Sequence, residues 1–109
     1  TIYGYKGKQV RDNLHSYDLV NMFSHFHKNP RVGEVYNVGG GRHSNCSVLE
    51  AIKMIEEQTS KNIITDLSME TRVGDHIWWI SDTRKFSNHY SNWKCSYDIE
   101  TIINELILN

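Results

Sequence analysis

No stretch of the 109 residues reaches the roughly 18 consecutive apolar side chains that a membrane helix needs. The opening Thr1-Ile2-Tyr3-Gly4-Tyr5-Lys6-Gly7-Lys8 places no apolar run behind a basic one, so it does not read as a secretion signal. Cysteine is scarce. Cys46 and Cys95 form neither a C-x-x-C nor a zinc spacing, and free thiols in a cytoplasmic protein are expected. An excess of one charge is missing too: 12 Lys+Arg face 13 Asp+Glu, without a basic tail or stripe, which argues against a nucleic-acid partner. The G-x-G-x-x-G and G-x-x-x-x-G-K-[ST] phosphate loops are both absent. The 6 histidines show no H-x-x-x-H and no cysteine partner, so no metal is expected.

What remains is ordinary globular composition, 39% hydrophobic and 23% charged, enough for one domain over residues 1–109. Gln9–Arg11 reads as extended. A helix starts at Ser16 or Asp18, turns Leu19, Val20, Phe23 and Phe26 to one side, and stops at Asn29-Pro30, the single proline. Glu34–Val38 and Asn62–Leu67 read as strands. Ser47 followed by Glu50 is a capping box opening a helix whose Val48, Leu49, Ile52 and Ile55 share a side. Ile77–Ile80 is a short apolar run of open type. Ser81 or Asp82 is expected to cap a brief helix reaching Phe86. Asp98 is expected to cap a last helix with Ile99, Ile102, Ile103, Leu106 and Ile107 on its apolar face. The mixture predicts an α/β or α+β arrangement.

Three places carry chemistry. Gly39-Gly40-Gly41 follows a strand candidate, so either backbone or a ligand approaches closely there. Arg11 offers a planar fork of donors that suits phosphate oxygens. Arg72-Val73-Gly74-Asp75 joins a second fork to a carboxylate. The pair could meet phosphate and a sugar hydroxyl, or could close its own turn as a local ion pair. His76 beside it is a candidate substrate contact, and Trp78 and Trp79 could stack on a base or pack inside. Tyr90 and Lys94 match Y-x-x-x-K, but Ser91-Asn92-Trp93 between them reads as a loop, so no catalytic role is expected.

With Arg11, Asn37-Val38-Gly39-Gly40-Gly41, Ser47-Val48-Leu49-Glu50 and Arg72-Val73-Gly74-Asp75 in this order, the chain resembles the carboxyl-terminal part of extended short-chain dehydrogenases. More narrowly it resembles the NAD-dependent nucleotide-sugar epimerases and dehydratases. Within them, Val10–Ser16, Gly41–Ser47 and Gly74–Trp79 look most like the branch that epimerises CDP-paratose at C2. The resemblance implies an α/β substrate-binding fragment of a Rossmann-type enzyme, lacking the amino-terminal half that binds NAD and carries the proton-transfer residues. It implies that Arg11 and Arg72 contact a CDP-linked diphosphate and that Asp75 accepts from nucleotide hydroxyls. Asn13, often Tyr in relatives, stands near the nucleotide. It also implies that the isolated chain is inactive and binds no NAD, and that the complete enzyme forms a homodimer. The rival readings are a 4,6-dehydratase or decarboxylase of the same superfamily, and a non-enzymatic interaction module.

Overall fold

The computed structural model describes residues 1–109. Two short parallel strands, β1 (Ile2–Tyr3) and β4 (Leu67–Ser68), make one ribbon. A second sheet has the order β3 (Asn45–Ser47), β2 (Val10–Asp12), β5 (Trp78–Trp79), with β2 antiparallel to β3 and parallel to β5. Four helices accompany them: α1 (Ser16–Lys28), α2 (Val48–Thr59), α3 (Arg84–His89) and α4 (Ile99–Leu108). None is long and apolar enough to cross a membrane.

The core lies where α1 meets α3 and the chain that follows it. Met22 packs with Phe86, Tyr90 and Trp93, and Leu14, Phe26, Tyr36 and Cys95 close around them. Aromatic geometry orders this cluster. Phe86 stacks on Tyr90 at 4.7 Å and meets Trp93 edge-on at 5.5 Å, an arrangement that adds to simple area burial. Tyr90 donates its hydroxyl to the Asn29 carbonyl at 2.8 Å, so the tyrosine of the Y-x-x-x-K match is a core residue.

Asp18 fastens α1 to that core. Its carboxylate is fully buried and accepts from the backbone N–H groups of Ser96 (2.9 Å) and Tyr97 (3.0 Å) and from the Cys95 thiol (3.4 Å). Burial and this contact with Asp18 push the Cys95 thiol up to about 11. The buried face of α1 is therefore Asp18 and Met22 rather than the expected row, and Val20 and Phe23 stay 63% and 60% exposed. A hydrophobicity pattern cannot register a buried carboxylate, so it placed the face one stripe too far round the helix.

Other boundaries moved for similar reasons. Glu34–Val38 pairs with no strand: Lys85 donates to the Val35 carbonyl, and Tyr36 turns into the aromatic cluster. Of Asn62–Leu67 only Leu67 is in a strand, because β1 offers just two partner residues. Helix α3 begins at Arg84 behind Thr83 and runs to His89. Asp82, two residues outside it, still accepts from the Arg84 N–H at 3.1 Å and from its guanidinium. On α4, Ile103 is buried while Leu106 is exposed. The capping box is present as read, with Ser47 and Glu50 each bonding the other's backbone N–H.

The chain buries little of itself. Its radius of gyration is 16.4 Å, against about 13 Å for a compact domain of this size. Only 13 of 109 residues are buried, while Trp78, Trp79, Phe23, Ile64 and Leu106 stand exposed. These side chains leave large apolar groups in contact with solvent.

Candidate substrate site

Strand register assembles the site. In the parallel pair, Val10 stands opposite Trp78 and Arg11 opposite Trp79, and the Val10 N–H donates to the Ile77 carbonyl at 2.9 Å. The loop ahead of β5 is thereby drawn to the start of β2. Arg11 donates Nη2 to Asp75 Oδ1 at 2.6 Å, across 64 residues of sequence, and Nη1 to its neighbour's carbonyl, Val10 O, at 2.8 Å. Of the five guanidinium N–H donors, two are engaged, so three remain for a ligand. Both partners are about one-third exposed. Such a pair contributes at most about 1 kcal/mol to the fold, and a phosphate or hydroxyl can compete with it at little cost.

Arg72 does not pair with Asp75. Their turn is closed through the backbone instead, the Asp75 N–H donating to the Arg72 carbonyl at 3.1 Å. Gly74 takes a left-handed φ of +79° there. The Arg72 side chain is exposed and joins none of the ion pairs. His76 meets Trp79 edge-on at 4.8 Å, so it stands beside Arg11's partner strand. Asn13 folds its amide back to the Arg11 carbonyl at 3.3 Å. Arg11, Asp75 and His76 thus lie together, Asn13 stands just past the end of β2, and Arg72 sits on the same turn without a partner.

The residue that organises these segments is Asp12. Its Oδ2 accepts from the Gly41 N–H at 2.9 Å and from the Ser81 N–H at 3.0 Å, tying the end of β2 to the glycine turn and to the chain leaving β5. A Cβ at Gly39 would run into Asp12 and Ser81, and one at Gly40 into the carbonyl oxygens of Asn13 and Ser44. The close approach read from the triple glycine is therefore made by the protein itself. The position of Asp12, an acid directly after Arg11 at a strand end, was the only hint of its role in the sequence.

No protein-family model matches the chain. The CDP-paratose 2-epimerase of Salmonella typhi is 32% identical over 85 residues, covering 75% of this chain and 25% of that protein. A dTDP-glucose 4,6-dehydratase from Bacillus anthracis, solved in complex with NAD, superimposes with a TM-score of 0.78 at 27% identity, over 98% of this chain and 32% of that one. The UDP-glucuronic acid 4-epimerase from Bacillus cereus, solved with UDP-glucuronic acid and NAD, gives 0.80 at 21% identity over 99% and 35%, a likeness of fold. The chain thus spans about a quarter to a third of the length of these relatives. An extended short-chain dehydrogenase fold, matched over nearly the whole chain and joined to the sequence likeness, places the protein in the NAD-dependent nucleotide-sugar epimerase/dehydratase family.

Proposed function

We propose that residues 1–109 form a substrate-holding domain of an NAD-dependent nucleotide-sugar epimerase, acting on a CDP-linked sugar, CDP-paratose at C2. The observation that carries this reading is the Arg11–Asp75 pair at 2.6 Å, set by strand register beside the free fork of Arg72. In the liganded state Arg11 and Arg72 hold the diphosphate, and Asp75 turns its carboxylate from Arg11 to nucleotide hydroxyls. His76 and Asn13 border the same space. Hydride transfer demands close alignment of sugar and cofactor, and a fixed diphosphate supplies part of it. The NAD-binding and proton-transfer residues belong to the body that covers the exposed apolar face, and dimerisation belongs to the complete enzyme.

The test separates holding from chemistry. CDP-paratose is expected to bind the 109-residue chain with no turnover when NAD is added. Turnover by the chain itself would contradict the division of labour. The dehydratase likeness favours a second reading, loss of water from a nucleotide hexose. Assay of the complete gene product on CDP-paratose and on dTDP-glucose distinguishes the two by product.

A further inference from the structure

The chain's five ion pairs give carboxylate partners to Arg11, His15, Lys53, Arg84 and Lys85. Arg42, His43 and Lys94 have none, yet all three line one open cleft of 510 Å³ beside the glycine turn. Its other walls include the hydroxyl residues Thr83, Ser87 and Ser91, and no carboxylate faces it. Asp98 feels the charge of His43, but its carboxyl is held low chiefly by hydrogen bonds from Thr101, whose N–H and hydroxyl it accepts at 2.8 and 2.7 Å. In a chain of formal net charge -1, this is a local concentration of unneutralised donors. Like charges gathered in a concave surface focus a positive potential, and an anion entering it relieves their repulsion.

We propose that this cleft binds a phosphate-bearing anion through Arg42, His43 and Lys94, with the three hydroxyls as further donors. It shares no residue with the Arg11–Asp75 pair or the Arg72 turn. Arg42 and Thr83 also line a second hollow of 580 Å³, whose walls include Trp78 and Arg84, the latter paired with Asp82. An aromatic face beyond a cationic end suits a nucleoside phosphate, whereas inorganic phosphate fills the cationic end alone. An extended polyanion is disfavoured because the cations line a hollow and not a stripe.

The experiment is calorimetric titration with pyrophosphate in an Arg11→Gln/Arg72→Gln background, which silences the proposed substrate forks, with ionic strength held constant by sodium chloride. One binding event is expected to persist there, and adding Arg42→Gln and Lys94→Gln to weaken it at least tenfold. Arg42, Arg72 and Lys94 are exposed and Arg11 is half-buried with glutamine keeping an amide donor, so all variants should keep the wild-type circular dichroism. Absence of binding in the first background, or binding untouched by the second pair, overturns the site, whatever becomes of the substrate reading. Titration with inorganic phosphate and with CMP then identifies the source. Tighter CMP binding that Trp78→Phe abolishes marks a nucleoside phosphate, and equal affinities mark the free ion.

Discussion

Asp12→Ala removes one oxygen that two backbone N–H groups share, at 2.9 Å from Gly41 and 3.0 Å from Ser81. Each donor left without a partner costs roughly 1–3 kcal/mol. Both bonds are only part-buried, and water relieves some of this, so the loss should fall at about 2–4 kcal/mol. Asp12→Asn keeps an acceptor at the same place and sacrifices only the charge, so its cost should be about 1 kcal/mol. Urea unfolding of the three proteins reads this as a shift in midpoint at constant slope. The whole stability of a small domain is about 5–15 kcal/mol, so the alanine variant should be visibly weakened. An alanine variant within about 0.5 kcal/mol of wild type, the size of an ordinary surface change, refutes the reasoning. So does an asparagine variant as weak as the alanine one.

Gly40→Ala should cost at least about 2 kcal/mol, since its Cβ meets carbonyl oxygens of Asn13 and Ser44 that cannot swing aside. Gly33→Ala meets no atom and pays only for its positive φ, about 1 kcal/mol; thermal unfolding that ranks the two in reverse contradicts the packing of the turn. With its thiol raised from 9.0 to about 11, Cys95 should react with iodoacetamide at pH 8 roughly 100-fold more slowly than an unshifted thiol, as mapped by mass spectrometry; equal rates would be inconsistent with its contact to Asp18. Hydrogen bonds from the Ser47 N–H and hydroxyl hold the Glu50 carboxyl below its usual range. The stability from this box is therefore complete above the unfolded carboxyl range, about 4.3, and is lost as pH falls through the lower folded value. Glu50→Gln should flatten that acid limb of a pH–stability curve, and an unchanged limb would exclude the linkage.

Local chemistry was legible. The Ser47–Glu50 box, the Asp98 cap, the stop at Asn29 and the extended segment at Arg11 all depend on neighbours in the sequence, and the structure shows each of them. What depends on distant partners was not. Asp18 looks like an ordinary first-turn acid until the chain of Cys95–Tyr97 folds over it. Asp12 looks like a solvated neighbour of Arg11 until the glycine turn and Ser81 arrive. The Arg11–Asp75 pair follows from the parallel register of β2 and β5, which no local pattern encodes, and it replaced the Arg72–Asp75 pairing that proximity in the chain suggested. Glu34–Val38 has the composition of a strand, yet composition cannot supply a partner.

Calorimetric titration of CDP into the chain and into Arg11→Gln and Arg72→Gln tests the central claim most directly. With the second cleft removed by Arg42→Gln/Lys94→Gln throughout, the account expects CDP to bind and each of Arg11→Gln and Arg72→Gln to weaken that event at least tenfold. Failure of CDP to bind, or binding indifferent to both Arg11 and Arg72, would contradict a diphosphate-holding role and favour an interaction module whose arginines make only surface contacts.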